Sequence, residues 1–338
     1  MIRPSRLARA FALASTVLVG AAHADPSSRR ASPRRGDGWA WYCDGAPRDV
    51  PAAPRGGVML VGGGEDPAEA FAWLLGRAGG GDVVVLRASG ADGYNAWLRG
   101  LARVDSVETL VVDSTRGAAD PFVVARVDAA DAVFLAGGDQ WDYLRLWKGT
   151  PLHAALARAV ARGAPIGGTS AGMAVLGEHA FSAARDTITS PEALRDPCDP
   201  RVLFDRGLVR VGHLAGVLTD THFAARDRMG RLLTFLARLG AATGTSPRAL
   251  AADEATALLI ERDGRARVVG DGRVYAVSLP ASPRTLRCGA PLTLRGAAVE
   301  RLAPGQTFDL TRWRGEGRRT RVDVLRGAVR AAGGGPTY

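Results

Sequence analysis

The chain has 338 residues, 46% of them hydrophobic, 23% charged and 6% aromatic. This composition suits a globular protein with a sizeable core and excludes a disordered chain, a collagen-like repeat and a small disulfide scaffold. The formal net charge is +10, and every one of the 44 basic residues except Lys148 is an arginine, beside 43 glycines; that bias reads as coding composition more than as a surface built for a polyanion.

Arg3, Arg6 and Arg9 open the chain, Phe11 to Ala22 is a short apolar run, and Ala22-His23-Ala24 supplies a small-x-small cleavage site. This is the layout of a secretory signal peptide over residues 1–24, with a run too short to span a bilayer comfortably. Cleavage would remove three positive charges and leave a secreted or periplasmic protein with no membrane anchor. Residues 25–55 read as an exported linker and N-terminal segment, flexible over 25–38, with regular structure starting near Gly57. Cys43, Cys198 and Cys288 lie in no CxxC motif and allow one disulfide at most, with its pairing open.

From Val58-Met59-Leu60-Val61 onward, apolar strands alternate with amphipathic helices. The first strand ends in Gly62-Gly63-Gly64-Glu65, and Pro67 opens a helix through Ala70, Phe71, Leu74 and Leu75. Strands are expected over Val83–Leu86, Thr109–Val112 and Ala132–Leu135, and helices around Trp97–Arg103, Phe122–Val127, Tyr143–Trp147 and Leu152–Ala161. Pro165-Ile166-Gly167-Gly168 then runs into Thr169-Ser170-Ala171-Gly172. The alternation predicts an α/β domain over 56–262, a mostly parallel sheet flanked by helices with its chemistry where strands end and helices begin. After residue 262 the turns Asp263-Gly264 and Asp271-Gly272, with short runs such as Arg321–Leu325, predict a β-rich C-terminal extension over 263–338. No internal repeat is visible.

Gly168-Thr169-Ser170-Ala171-Gly172 fits the G-x-S-x-G elbow, a strained turn that lifts a serine hydroxyl to a helix N-terminus. A bare match arises easily by chance among 43 glycines, so the base and acid matter. His222 stands at an expected strand end, ahead of a helix bearing Arg226, Arg228 and Arg231. Cations there oppose the helix dipole and call for an anionic partner, from the protein or a ligand. Asp253-Glu254 follows the apolar run Ala249–Ala252 and could orient His222. The chain order Ser…His…acid differs from that of the α/β-hydrolases.

Four segments in this order resemble the cyanophycinase and peptidase E family of serine peptidases: Gly62-Gly63-Gly64-Glu65, Gly137-Gly138-Asp139-Gln140, Gly168 to Gly172, and Asp220-Thr221-His222-Phe223 with its three arginines. Asp253 to Leu258 is a weaker fifth, and Pro197-Cys198-Asp199-Pro200 resembles the exported branch. The resemblance implies a fold like the class I glutamine amidotransferases (flavodoxin-like), Ser170 as nucleophile, His222 as base and Glu254 as orienting acid, with Asp186 ranked second. It implies an oxyanion hole from the Gly138 and Ala171 N–H groups, and a substrate lining of Gln140, Asp220, Arg226, Arg228 and Arg231. No metal or cofactor is implied.

The substrate implied is cyanophycin, a poly-aspartate with arginine on each side-chain carboxyl, released as β-Asp-Arg dipeptides. The three arginines would hold aspartate carboxylates, and Asp220 the substrate guanidinium. Thr221 stands where the family often carries glutamine, and Leu144 where lysine is expected. An aspartyl or isoaspartyl dipeptidase and a catalytically silent binding protein are the alternatives. The tail of Arg312, Arg314, Arg318, Arg319 and Arg321 has only Trp313 interleaved, too little aromatic surface for a nucleic-acid partner. A homodimer is what the family suggests.

Overall fold

The computed structural model describes residues 30–45, 51–280 and 286–338; the expected signal peptide and residues 25–29 of the expected linker lie outside them. A hairpin comes first, β1 (Arg34–Gly36) and β2 (Trp39–Gly45), turning at Gly38 with φ +77°. The alternating unit follows: β3 (Val58–Val61), α1 (Ala68–Arg77), β4 (Asp82–Arg87), α2 (Asn95–Leu101), β5 (Ser106–Val112), α3 (Pro121–Ala129), β6 (Ala132–Leu135), α4 (Gln140–Trp147), α5 (Pro151–Arg162), β7 (Ile166–Thr169) and the short α6 (Ala171–Ala174).

The strands β5-β4-β6-β7-β3 are parallel neighbours. Helices cover both faces of this unit, so its strands are apolar throughout: Val83 to Leu86 are 0% exposed. The helices carry their own start and stop signals. Thr150 caps α5 and Pro151 fills its first turn; Leu152, Ala155, Leu156 and Ala159 form the buried stripe, and Gly163 ends it in the left-handed region.

The rest of the chain adds β8 (His179–Phe181), α7 (Ser190–Arg195), β9 (Phe204–Arg206), β10 (Val217–Asp220), α8 (Met229–Thr243), β11 (Arg248–Ala252), β12 (Thr256–Ile260), β13 (Arg265–Gly270), β14 (Val274–Ser278), β15 (Leu294–Leu302), β16 (Thr307–Asp309), β17 (Arg314–Gly315), β18 (Arg318–Leu325) and β19 (Ala328–Ala331). Strands β12, β13, β16 and β17 lengthen the first sheet antiparallel, beyond β3. The others build a second sheet in the order β19-β18-β15-β14-β11-β10-β8-β9. There only β8-β10 and β10-β11 pair in parallel. Helix α8 lies within a core cluster with this sheet and is buried on every side from Met229 to Ala237.

Within residues 56–262 six strand pairs are parallel and two, β3–β12 and β8–β9, antiparallel, while the strands contributed by residues 34–45 and those after 262 pair antiparallel. Two expectations need correction. The chain is not without structure until Gly57. The hairpin pairs antiparallel with β5 from Trp39–Val112 to Gly45–Ser106. Its tryptophans anchor it, since Trp39 stacks on Phe122 at 4.8 Å and Trp41 donates to Glu108 at 2.6 Å. Finally, the second sheet was not anticipated, and the strands after residue 262 divide between the two sheets. Cys198 and Cys288 form a disulfide across 90 residues. Cys43 is buried and free, its thiol pushed up to about 12 by burial and by Glu108.

Candidate active site

The two sheets meet at a short turn. β11 ends at Ala252 in the second sheet, β12 starts at Thr256 in the first, and Asp253 to Ala255 cross between them. The ends of β3 and β7 arrive from one side of this seam, and β10 from the other.

Ser170 follows β7 with φ +50° and ψ −116°, a conformation strained for a residue with a side chain. The glycines around it answer to close packing. A methyl group at Gly172 would strike the Leu135 carbonyl at the end of β6, and one at Gly168 would strike the Gly172 backbone. Ser170 N–H donates to Val61 O at 3.1 Å, tying the elbow to the end of β3.

His222 follows β10, also strained, with φ +45°. Its Nε2 lies 2.7 Å from Ser170 Oγ and its Nδ1 lies 2.6 Å from Glu254 Oε1. The glycine loop after β3 is the floor of this array. His222 N–H donates to Gly62 O at 2.8 Å and Ala255 N–H to Gly63 O at 2.9 Å. Gly63, at φ +96°, lies under the imidazole, where a methyl would fall 2.5 Å from Nε2; one at Gly64 would fall 2.9 Å from Glu254 Cβ. The run of glycines after the first strand is therefore a steric requirement of the histidine and the acid.

Burial lowers the His222 pKa below its ordinary 6.5. The Arg226 and Arg228 charges add to this, and the Glu254 contact opposes it. The imidazole is thus neutral at pH 7, the form that can accept a proton. A hydroxyl facing a neutral imidazole, itself oriented by a carboxylate, can become a nucleophile. Asp253, the other half of the acidic pair, turns away: its carboxylate accepts from Ala224 N–H, Arg273 N–H and Tyr275 OH.

Around Ser170 opens a cleft of about 310 Å³ lined by Gly138, Gln140, Ala171, Asp186, Asp220 and Arg226, among others. That lies at the lower end of ligand-site volumes, roughly 300–1,000 Å³, and suits one short peptide unit. Gly138 belongs to the loop after β6. Tyr143, 1% exposed, holds this loop through its hydroxyl, which lies 2.8 Å from Ala136 O and 3.1 Å from Gly137 O. Sequence reasoning missed this residue, whose only signal is a buried aromatic one turn into α4. Gln140, the first residue of α4, donates from Nε2 to Phe181 O at 3.4 Å.

The charged lining departs from expectation. Asp220 is 3% exposed and already engaged by the protein's own guanidiniums. Arg231 Nε donates to its Oδ2 at 3.1 Å and Arg231 Nη2 to its Oδ1, with Arg228 at 3.4 Å. Burial alone would raise the Asp220 pKa, but these two cations hold it below the usual carboxylate range. Asp220 and Arg231 therefore face the cleft as an ion pair and not as two separate charges. Arg228 also donates to Thr221 O at 2.8 Å and Thr221 Oγ1 at 3.1 Å. Arg226 is exposed at the rim, its guanidinium unpartnered among the described residues. Asp186 lines the same cleft, its carboxylate accepting the Thr187 N–H at 2.6 Å, while the His222 Nδ1 contact is to Glu254. Leu144, where lysine was expected, is 2% exposed in the core, so that difference does not bear on the cleft.

The profile of Peptidase family S51 matches residues 98–196, a span that includes Ser170 but ends before His222. A cyanophycinase of Synechococcus elongatus is 33% identical over 276 residues, covering 76% of this chain and 80% of the relative. The chain belongs to the S51 family. A Nostoc sp. cyanophycinase is 29% identical over 280 residues, 77% of this chain and 88% of its own. Among solved structures, a peptidase from an acI-B1 Actinobacterium superposes with a TM-score of 0.50 at 19% identity, covering 75% of this chain and 97% of that one; this likeness speaks for the fold alone. The S51 member described here is a serine-type peptidase with a mixed α/β fold, related to the cyanophycinases.

Proposed function

We propose that the protein is an exported serine exopeptidase that hydrolyses cyanophycin to β-Asp-Arg dipeptides. The observation that carries the reading is the hydrogen-bonded series Ser170–His222–Glu254 at the mouth of one cleft. Its polymer substrate is taken from the relatives named cyanophycinase. In the proposed mechanism, His222 Nε2 takes the Ser170 proton as Oγ attacks the scissile carbonyl. The Gly138 and Ala171 N–H groups receive the oxyanion, and Glu254 steadies the imidazolium. His222 then hands the proton to the leaving amine, and a water it activates in turn hydrolyses the acyl-enzyme. Arg226, the unpartnered cation, is the group left to meet a substrate carboxylate, while Arg228, Arg231 and Asp220 form the wall behind it. The elbow after the last strand of a parallel unit agrees with a glutamine amidotransferase-like scaffold carrying serine. Export is read from residues 1–24, and the Cys198–Cys288 disulfide suits an oxidising compartment.

The test is incubation of the purified protein with insoluble cyanophycin, and separately with β-Asp-Arg and α-Asp-X peptides. Clearing that releases β-Asp-Arg, and that Ser170→Ala abolishes, is the expected result. Cleavage of α-Asp-X peptides without clearing would replace the polymer by an aspartyl dipeptide substrate. No hydrolysis of any of them would remove the peptidase reading of this cleft.

A further inference from the structure

The segment between β10 and α8 carries His222, Arg226 and Arg228, and its own turn bonds, Arg226 N–H to His222 O at 3.0 Å, Asp227 N–H to Ala224 O at 3.0 Å and Arg228 N–H to Phe223 O at 2.9 Å, account for part of its shape. His222 and Asp227 both sit at φ +45°, a conformation a residue with a Cβ keeps only when its surroundings impose it. Part of that imposition is close at hand. Asp253 accepts the Ala224 N–H at 2.9 Å, and Ser190 Oγ donates to the Asp227 carbonyl. A further tie comes from 109 residues away. The Tyr338 hydroxyl donates to Asp227 Oδ1 at 2.6 Å and accepts the Met229 N–H, the first of α8, at 2.8 Å.

Tyr338 is itself secured on two sides. Its ring stands edge-on to Phe223 at 5.7 Å and to Tyr275 at 6.1 Å. Arg301, 6% exposed on β15, donates from Nη1 to the Tyr338 main-chain oxygen at 2.7 Å and to the Pro336 carbonyl at 2.9 Å. Residues 336–338 thus run as a strap from the second sheet to the start of α8. Burial and the bond to Asp227 raise the phenol pKa above its ordinary 10, so the donor persists through the neutral range. Tyr338 does not line the cleft, so whatever it does there it does through the loop.

We propose that Tyr338 is a positioning residue. By bridging Asp227 and the Met229 N–H, it fixes the 222–229 loop and so sets His222 and the two arginines beside it against Ser170. The inference rests on the proposed catalytic pairing of Ser170 with His222. Tyr338→Phe keeps the ring packing and removes only the bridge. It should slow fluorophosphonate labelling of Ser170 roughly three- to tenfold, the scale of one ordinary lost hydrogen bond. Two readouts need no substrate. Hydrogen exchange at the Met229 amide should quicken. The His222 imidazole, followed by NMR, should titrate nearer 6.5, because the loop then holds Arg226 and Arg228 less closely while Glu254, on the β11–β12 turn, stays in place. Arg301→Gln, acting from the far end of the strap, should move all three in the same direction.

A merely structural role would lower the melting temperature and leave the His222 titration where it was. An unchanged titration in Tyr338→Phe overturns the proposal, as does wild-type labelling. If the unsubstituted protein is not labelled and clears no cyanophycin, the catalytic reading fails on its own terms. The Met229 exchange and His222 titration then still decide whether the strap holds the loop.

Discussion

Gly63→Ala puts the smallest possible perturbation under the array. The added methyl would lie 2.5 Å from His222 Nε2, whereas ordinary contact begins at 3.4 Å, so the ring must retreat by about 0.9 Å. The Ser170–His222 contact is 2.7 Å. A retreat of that size along it breaks the hydrogen bond, since contacts near 3.6 Å no longer qualify. Misplacement of a catalytic group by about 1 Å can cost on the order of a hundredfold in rate. The alanine must also keep the φ of +96° at this position; strain and overpacking together should cost about 1–3 kcal/mol of stability. The signature is therefore a folded protein whose turnover of cyanophycin falls about a hundredfold while its near-UV circular dichroism is retained. A stopped assay of β-Asp-Arg release, beside a thermal melt, measures both. Full activity in a folded Gly63→Ala protein would refute the steric argument, and with it the reason given for the glycine run.

Other outcomes follow from the same geometry. Glu254→Gln should lower kcat by about 10²–10³ with little change in KM, within the range for a general-base system. Asp186→Asn should leave Ser170 labelling intact; if only the second variant loses turnover, Glu254 is not the orienting acid. Because the base must be neutral, activity should fall as pH drops through a His222 pKa that lies below 6.5. Arg226→Gln removes one of the charges opposing protonation, so the acid limb of kcat/KM should move to higher pH; a shift the other way would contradict the assigned environment. Replacing Cys198 and Cys288 by serine should cost about 2–4 kcal/mol in urea unfolding and leave Ser170 labelling unchanged.

What the sequence disclosed about the fold depended on periodicity. The alternating unit was legible because buried parallel strands are unbroken apolar runs, and Val58–Val61 and Ala132–Leu135 coincide with β3 and β6. The β1–β2 hairpin was not, because Arg34-Arg35-Gly36 has no apolar period and the five-residue apolar run Trp39–Cys43 stands alone, with no helix or turn pattern beside it. The second sheet escaped for a different reason. β8 and β9 have three residues each, β10 pairs with the distant β8 (Leu218 opposite His179), and β11 pairs with β14 and not with β12, its successor in the chain. Pairing of that kind is set by tertiary contact, and no local propensity reports it.

The site divides along a similar line. The elbow glycines and a strand end pointed locally to Ser170 and His222, and an apolar run to the Asp253-Glu254 pair after it, whereas Glu254 within that pair was singled out by the family resemblance. Asp220 could be named too, but not its partner. An acid beside three arginines reads equally well as a ligand for a substrate guanidinium or as the counter-ion of its neighbours. Burial decides between the two. At 3% exposure, Asp220 sits where an unpaired carboxylate would cost several kcal/mol, and Arg231, at 4%, has the same need. Each satisfies the other across β10 and α8 before any substrate arrives. Among the described residues, Arg226 is the cation in the cleft without such a partner. Specificity for an acidic substrate should therefore rest most on the exposed Arg226 guanidinium, which makes Arg226 the position where substitution raises KM most while leaving Ser170 labelling nearly intact.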